Sequence, residues 1–204
     1  MSPRPTVYVV DDSAAVRDSL KYLFSSLGLP MKAYQSAEDF LKEYDAAWPG
    51  CLVLDVRMPG MSGVDLQGKL QELGSVLPII FLTGHGEIPM AVWTLQKGAV
   101  DFLEKPLEQQ VLVDCVRRAL LVNDGARKAQ KQRAGLAARR AALTRRQQEV
   151  LDLMLAGHSN KMMAWRLSVG EKTIEFHRAR VMRKMQAKNL PQLMRMVQLG
   201  QERR

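Results

Sequence analysis

The chain has 204 residues, of which 47% are hydrophobic and 25% charged, a composition typical of a soluble globular protein. No apolar run approaches the roughly 18 residues that a membrane helix requires, and two cysteines are too few for a disulfide scaffold or a four-cysteine zinc site. Since no apolar leader precedes the first predicted strand, we expect a cytoplasmic protein with no membrane partner.

The net charge of +9 is distributed unevenly along the chain. Residues 1–124 hold 11 Lys/Arg against 16 Asp/Glu, whereas residues 125–204 hold 19 Lys/Arg against 5 Asp/Glu. This asymmetry predicts two modules with different partners, and the basic module is suited to a polyanion, most simply nucleic acid. A solubilising basic tail is the alternative interpretation.

Strand and helix patterns alternate through the acidic part of the chain. Short apolar runs predict strands, and apolar residues at helical spacing predict helices. The predicted strands are Val7–Val10, Cys51–Leu54, Ile79–Leu82 and Val100–Leu103, and the predicted helices are Ala14–Leu27 with Ser13 as N-cap, a helix opening at Ser36, Gly63–Leu73, Ile88–Gln96 and Leu107–Leu121. This alternation predicts a parallel sheet covered by helices on both faces.

Polar residues follow the predicted strands at their carboxyl ends, where open parallel sheets bind ligands. They are Asp11, Asp12, Asp55, Thr83 and Lys105. Each could singly be a cap, a turn residue or a surface charge, but their recurrence at successive strand ends favours a site. Three clustered carboxylates need a cation, and an all-oxygen site with few ligands favours hydrated magnesium. A metal-bound carboxylate beside a lysine is a suitable nucleophile for a phosphoryl group.

Residues 5–122 resemble the receiver domain of two-component response regulators. The resemblance is carried by the segments Val9–Asp12, Leu54–Gly63, Leu82–Gly86 and Asp101–Pro106. It implies a doubly wound, flavodoxin-like α/β fold with a five-stranded parallel sheet. It also implies that Asp55 accepts a phosphoryl group from a histidine kinase.

The resemblance assigns further roles by position. Asp12, Asp55 and the backbone carbonyl of Arg57 would bind magnesium directly, and Asp11 would bind it through water. Arg57 also stands where a phosphatase with a nucleophilic aspartate has a second aspartate, so we expect no enzyme.

The same resemblance defines the switch residues. Thr83 would hydrogen-bond the phosphoryl group, Lys105 would pair with it, and Phe102 occupies the position of the family's aromatic switch residue. Arg57 and His85 occupy two variable positions that affect the lifetime of the phosphoryl group.

Residues 123–142 form a basic linker between the two modules. Its Ala, Arg, Lys and Gln residues favour helix, and Leu136 is its only large apolar residue. We expect a solvated, partly helical connector that can continue the helix begun near Leu107. Asn123–Gly125 and Gly135 are its weak points, and the sequence leaves open whether the helix is continuous.

Capping signals and apolar spacing predict a bundle of short helices in the basic part. A Thr-x-x-Gln capping box opens the first of them, and a small turn separates the second from a longer basic helix. The elements are a helix that Thr144 opens and that stops near Gly157, a helix from Ser159 to Leu167, a turn at Ser168–Gly170, a helix over Glu171–Met185 and a helix from about Pro191 to Leu199. This order is typical of a helix-turn-helix.

The longest basic helix has two distinct faces on a helical wheel. The inner face has Ile174, Arg178, Val181 and Met185, with His177 nearby, and the outer face has Lys172, Phe176, Ala179 and Arg183, flanked by Glu175 and Arg180. The outer face suits a major groove, since cations can meet phosphates while Phe176, Ala179 and Glu175 meet base edges. The alternative is an ordinary solvated face with one stray phenylalanine.

Residues 143–199 resemble the LuxR-type helix-turn-helix domain of the NarL/FixJ response regulators, most closely the FixJ-like regulators. The carrying segments are Leu143–Leu151, Ser159–Lys161, Lys172–Arg178 and Met182–Met185. The expected DNA-contacting residues are Lys161, Lys172, Thr173, Glu175, Phe176, Arg178, Ala179, Arg180 and Arg183. The resemblance further implies a packed His177 and dimerisation on DNA through Leu190, Leu193, Met194 and Val197.

These features together predict a DNA-binding response regulator. A cognate histidine kinase phosphorylates Asp55, magnesium is the cofactor, and the protein binds double-stranded promoter DNA as a homodimer and activates RNA polymerase. An RNA-binding antiterminator also joins a receiver to a small basic helical domain. The Ser168–Gly170 turn and the Lys172–Arg183 face argue against that alternative.

Overall fold

The structure, a computed structural model, describes residues 4–84, 94 and 96–201. The predicted helix Ile88–Gln96 lies outside these residues except for Thr94 and Gln96, and so does His85. The chain divides into two compact units, Met1–Lys128 and Ala129–Arg204.

A parallel sheet forms the centre of the first unit. Its described strands are Thr6–Val10 (β1), Met31–Tyr34 (β2), Gly50–Asp55 (β3), Ile79–Thr83 (β4) and Asp101–Glu104 (β5). They lie in the order β2-β1-β3-β4-β5, and every neighbouring pair is parallel. The predicted five-stranded sheet is confirmed. The sequence analysis did not locate β2, because this edge strand exposes Lys32 and Ala33 and has no continuous apolar run.

Successive side chains of the central strands pack on opposite faces of the sheet, as the two-residue period of a strand requires. In β3, Leu52 and Leu54 join one apolar core, whereas Cys51 and Val53 join the other. The helices Ala37–Glu43 (α2) and Gly63–Glu72 (α3) cover the first core, and Ala14–Ser26 (α1) covers the second. The doubly wound arrangement is therefore confirmed.

The helix N-termini of the first unit differ in how their caps are made. Ser62 and Asp65 form a reciprocal capping box at α3, and the Ser36 side chain accepts a hydrogen bond from the Asp39 amide at α2. Ser13 occupies the N-cap position of α1, but its side chain makes no capping bond. Its backbone N–H instead donates to Asp11 Oδ1 over 2.9 Å.

The helix Gln109–Ala141 (α4) is continuous over 33 residues and contains the boundary between the two units. It begins two residues after the predicted start at Leu107 and runs through Gly125 and Gly135, which the sequence marks as weak points. A single glycine costs a helix only about 1 kcal/mol, which the surrounding helix-forming residues offset.

Asn123 shows why the first of these weak points does not end the helix. Its side chain is buried, accepts a hydrogen bond from the Gly50 amide over 3.0 Å and donates one to the Val76 carbonyl over 3.0 Å. Asn123, placed at the start of the linker by sequence, therefore anchors α4 in the first unit.

The second unit contains four further helices. They are Arg145–Leu155 (α5), Asn160–Leu167 (α6), Glu171–Met185 (α7) and Leu190–Gln201 (α8). Thr144 and Gln147 form the predicted capping box at α5, and Ser159 caps α6. Ser168 ends α6 in the left-handed conformation with φ 53°, which turns the chain into α7. The small all-α domain with a helix-turn-helix is confirmed.

Candidate functional site

Parallel pairing brings the polar strand-end residues to one edge of the sheet. Val10 pairs with Leu54, and Asp55 with Leu82, so Asp11 and Asp55 follow neighbouring positions. Lys105 Nζ lies 2.8 Å from Asp11 Oδ2 and 2.9 Å from Asp55 Oδ2. One carboxylate oxygen from each of Asp11, Asp12 and Asp55 lies within 4.8 Å of the others. The three acids and the lysine that the sequence proposed thus form one cluster.

Burial differs among the three carboxylates and affects their charge. Asp11 is 0% exposed, Asp55 is 8% exposed, and Asp12 is open to solvent. Burial raises the pKa of Asp55, and the hydrogen bond and charge of Lys105 oppose this rise. Partial burial disfavours the Lys105 ammonium, but its hydrogen bonds to Asp11 and Asp55 outweigh that effect and raise the pKa of Lys105.

The charge balance of this cluster fits a divalent cation. When ionised, the three carboxylates carry three negative charges, and Lys105 supplies one positive charge. Hard oxygen ligands and this residual negative charge match the preferences of magnesium. Asp11, Asp12 and Asp55 are the side chains that can hold such an ion here.

Backbone contacts that the sequence analysis missed fix the acidic residues. Arg17 Nη1 donates to the carbonyls of Asp11, over 2.6 Å, and Asp12, over 2.9 Å. The Arg57 amide donates to Asp55 Oδ1 over 3.3 Å, which places the Arg57 backbone beside the site. Arg17 is one of several charged residues on α1, and no motif distinguishes it in the sequence.

The loop between β3 and α3 is packed tightly against Asp55. A Cβ atom at Gly63 would lie 2.1 Å from the Asp55 carbonyl oxygen, and the Gly63 amide donates to the Val56 carbonyl over 3.0 Å. Glu38 supports the same loop from α2, accepting a hydrogen bond from the Met61 amide over 2.9 Å. Only a glycine fits at position 63 without displacing the backbone of Asp55.

Thr83 and Phe102 lie on adjacent strands near the acidic edge. Thr83 is buried, its hydroxyl donates to the Gly84 carbonyl over 3.0 Å, and its own carbonyl accepts from the Lys105 amide over 2.7 Å. Phe102 is half-buried, and its ring centroid lies 6.3 Å from that of Phe81 in β4. Thr83 therefore lies at the cluster, whereas Phe102 lies on the strand that leads to it.

The outer face of α7 is polar and cationic. Ile174, Val181 and Met185 are buried in the core of the second unit, and His177 is half-buried, as the helical wheel predicts. The expected DNA-contacting residues that lie exposed are Lys161, Lys172, Thr173, Glu175, Phe176, Ala179, Arg180 and Arg183. The geometry therefore offers one face of α7 to a partner.

Arg178 differs from the other expected DNA contacts. It is half-buried, and its Nη1 donates to Asn160 Oδ1 in α6 over 2.8 Å. This bond ties the two helices of the helix-turn-helix together, a role that the sequence analysis did not assign. Arg178 falls on the inner side of the helical wheel, and this position could have indicated from sequence that its side chain packs within the domain.

Other basic residues of the second unit also hold its own backbone. Arg146 Nη2 donates to the Leu167 carbonyl over 2.7 Å, and Lys184 Nζ donates to the Ala142 carbonyl over 2.8 Å. Arg139 Nη1 donates to the Met185 carbonyl over 3.2 Å. Part of the positive charge in this unit therefore has a structural role.

The four residues expected to form the dimerisation surface on α8 differ in exposure. Leu193 is 0% and Val197 7% exposed, and both belong to the apolar core of their own unit, which half-buried Leu190 also contacts. Apolar spacing on a short helix cannot distinguish a residue that packs within its domain from one that packs against a partner. Met194, 38% exposed, is the member of the four that is open to solvent.

The chain joins an α/β unit, in which a lysine bridges the acidic cluster at the edge of the sheet, to a helix-turn-helix unit. Together the fold and these two sites define a class of regulatory protein that acts as a switch. The sequence matches the response regulator receiver domain over residues 7–117 and the luxR family of bacterial regulatory proteins over residues 141–197. The chain belongs to the response regulators of two-component systems, in the NarL/FixJ group. It is a phosphorylation-controlled transcription regulator, and these matches give no support to the RNA-binding alternative.

Relatives cover almost the whole chain. The response regulator protein TodT of Pseudomonas putida is 41% identical over 199 residues, which cover 97% of this chain and 88% of that protein. The transcriptional regulatory protein FixJ of Bradyrhizobium diazoefficiens is 40% identical over 196 residues, 96% of either chain. The solved structure of the response regulator StyR has a TM-score of 0.86 at 40% identity and covers 96% of this chain and 99% of its own.

The two domains imply a histidine kinase and promoter DNA as partners, and the family consists of transcription regulators. Within the described residues, no helix is both long and apolar enough to cross a membrane.

Proposed function

We propose that Asp55 is the residue that accepts the phosphoryl group and that α7 is the element that reads DNA. The observation that carries the first assignment is the pair of contacts from Lys105 Nζ to Asp11 and Asp55, 2.8 and 2.9 Å. These contacts place the Lys105 ammonium beside Asp55, the acid that ends β3 at the centre of the sheet. A phosphoryl oxygen on Asp55 would find this ammonium already in place.

The chemistry at Asp55 is a simple displacement. A carboxylate oxygen of Asp55 forms a bond to phosphorus while the bond from phosphorus to the kinase histidine breaks, and the histidine nitrogen leaves with the electron pair. Thr83 would donate a hydrogen bond to the transferred group, and Lys105 would neutralise part of its charge. The partial burial of Asp55 limits the access of water to the acyl phosphate.

Magnesium would be held by Asp12, Asp55 and the backbone carbonyl of Arg57, with Asp11 acting through water. When bound, the ion supplies positive charge that lowers the repulsion between the carboxylates and the incoming phosphoryl oxygens. Asp11 is buried and keeps its contact with Lys105, which makes it a support for the cluster.

On α7, we assign Lys172 and Arg183 to phosphates, and Glu175, Phe176 and Ala179 to base edges. Lys172 and Arg183 are the outermost cations of the exposed face, and the other three lie between them. Phosphate contacts position a protein on duplex DNA, and base contacts specify the sequence. Arg178 is assigned to the α6–α7 interface because Asn160 already binds it.

Phosphorylation would favour a homodimer, and the dimer would activate RNA polymerase at the promoter. Thr83 and Phe102 are the elements that would carry the change from the acidic edge, by biasing a two-state arrangement of the receiver surface. On α8, the exposed Met194 is the proposed dimer contact, with Leu190 beside it.

A competition assay tests the proposed function. The full chain is incubated with acetyl phosphate and magnesium, and its binding to a labelled duplex library is challenged with unlabelled duplex DNA or structured RNA. We expect the phosphodonor to increase duplex binding and duplex DNA to compete better than RNA. Equal competition by structured RNA would contradict the assignment of α7 to DNA.

Thr83→Ala should separate phosphorylation of Asp55 from the dimerisation that follows it. The variant keeps Asp55 and Lys105, so we expect it to be labelled by acetyl phosphate but to dimerise more weakly when phosphorylated. A coupling of about 1–3 kcal/mol corresponds to a 5- to 150-fold weaker dimer, measured by analytical ultracentrifugation. Thr83→Ser keeps the hydroxyl and is the control, expected to behave like wild type. Equal dimerisation of phosphorylated Thr83→Ala and wild type would exclude this route.

A further inference from the structure

We infer that Arg180 and Phe176 read DNA as one unit, in which Arg180 contacts a guanine and Phe176 contacts the methyl group of a thymine in the neighbouring base pair. This inference rests on the proposed DNA-binding role of α7. It goes further by naming the pair of bases that the helix prefers and by assigning Arg180 to a base edge.

The two side chains form a preassembled pair. The guanidinium carbon of Arg180 lies 4.4 Å from the centroid of the Phe176 ring, at the one-turn spacing that makes helical residues neighbours. The Phe176 ring also contacts His177 edge-on, with centroids 5.7 Å apart. His177 is half-buried, so the ring is supported on the domain side although Phe176 is 53% exposed.

The stacking moves the Arg180 guanidinium towards the middle of the outer face. Helical side chains point towards the N-terminus of their helix, and Arg180 lies over a residue one turn back. The two outermost cations, Lys172 and Arg183, are eleven residues apart, or about 16 Å along the axis. The outer cations therefore mark the two ends of the outer face, and Phe176 and Arg180 lie between them, where base edges are expected.

The chemistry of the stacked arginine matches guanine. A guanidinium that lies over an aromatic ring can contact it through its face and keep its in-plane N–H donors available for the O6 and N7 acceptors of guanine. The ring also reduces the freedom that a long exposed side chain would lose on binding. Among the described residues, neither Lys172 nor Arg183 lies against an aromatic ring. Arg180 is therefore distinct from the phosphate-binding cations, and the exposed apolar Phe176 ring beside it is suited to a thymine methyl group.

The test compares base preferences of full-length variants on a randomised duplex library, with acetyl phosphate and magnesium present throughout and at several salt concentrations. Arg180→Lys keeps the positive charge but removes the planar guanidinium that can donate to both O6 and N7 of guanine. Arg183→Lys is the matched control on the same face. Phe176→Leu keeps an apolar contact for thymine but removes the aromatic platform, and Phe176→Ala removes both. Thermal unfolding followed by circular dichroism should be unchanged, since both side chains are exposed.

We expect Arg180→Lys to lower the preference for guanine at one position about 5- to 150-fold, with an unchanged salt dependence, and Arg183→Lys to leave the base preferences as in wild type. Phe176→Leu should weaken the guanine preference and keep the neighbouring thymine, whereas Phe176→Ala should weaken both. If Arg180→Lys or Phe176→Leu retains the full guanine preference, the reading unit is disproved while DNA binding by α7 stands. If the wild type selects no duplex sequence at all, the proposed function fails as well.

Discussion

Asp55→Asn should abolish phosphoryl labelling of the chain. Incubation of the wild type with acetyl phosphate and magnesium should give an acyl phosphate that is stable in acid and cleaved by base, detected by intact-protein mass spectrometry. The amide of asparagine is not a nucleophile at neutral pH, so the loss should be complete, the largest effect on activity expected from any single change here. Omission of the divalent cation should prevent labelling of the wild type too.

The loss can be separated from unfolding, because the fold does not depend on an ionised Asp55. Burial raises the folded-state pKa of Asp55 above its usual value, so the protonated form is favoured by folding and the ionised form at neutral pH opposes it. Lys105 retains Asp11 as a partner in the variant. We therefore expect Asp55→Asn to unfold at or above the wild-type temperature. Undiminished labelling of Asp55→Asn would refute the assignment, as would wild-type labelling without a divalent cation.

Gly63→Ala should strongly destabilise the first unit. The added Cβ atom would lie 2.1 Å from the Asp55 carbonyl oxygen and 3.1 Å from Leu54 Cγ, both in the central strand β3. A backbone oxygen in a buried strand cannot move aside as a flexible side chain can, so the strand or the start of α3 must shift. We expect the free energy of unfolding to fall by about 2–3 kcal/mol or more, measured by urea denaturation.

Gly68→Ala provides the matched control in the same helix. Apart from the adjacent residues and the backbone of its own helix, no atom lies within 4 Å of a Cβ built there, and alanine is the better helix former. We expect the free energy of unfolding to stay unchanged or rise by up to about 1 kcal/mol. A Gly63→Ala variant as stable as Gly68→Ala would show that the close approach of α3 to β3 can be relaxed cheaply. Because Asp55 is in the displaced strand, Gly63→Ala should also slow phosphoryl labelling.

Much of the first unit could be predicted from sequence because the same apolar runs locate both its core and its site. Continuous apolar runs locate the buried central strands, and the residue after each run lies at the edge where ligands bind. Asp11, Asp55 and Thr83 were found in this way. The edge strand β2 was not, since its consecutive residues Lys32 and Ala33 are exposed and it has no continuous apolar run.

Contacts that depend on long side chains could not be predicted. Three arginines show this: Arg17, Arg146 and Arg178. Each binds a group on another element or on an earlier turn, and the groups that each side chain can reach depend on how the helices pack. Leu193 and Val197 show the same limit for apolar residues. Their spacing identifies an apolar face on α8, and only the assembled domain shows that this face packs inward.

The 33-residue helix α4 has a consequence for local stability. Its early turns bury Leu112, Val116 and Ala119 under the sheet, and Asn123 is the last buried residue before a stretch, residues 124–135, in which none is buried. That stretch is held mainly by backbone hydrogen bonds that water can reach, so its opening exposes no core. Its amide protons should exchange with solvent by local opening, well before those of either core. One unbroken helix is thus compatible with two units that each unfold cooperatively at their own temperature.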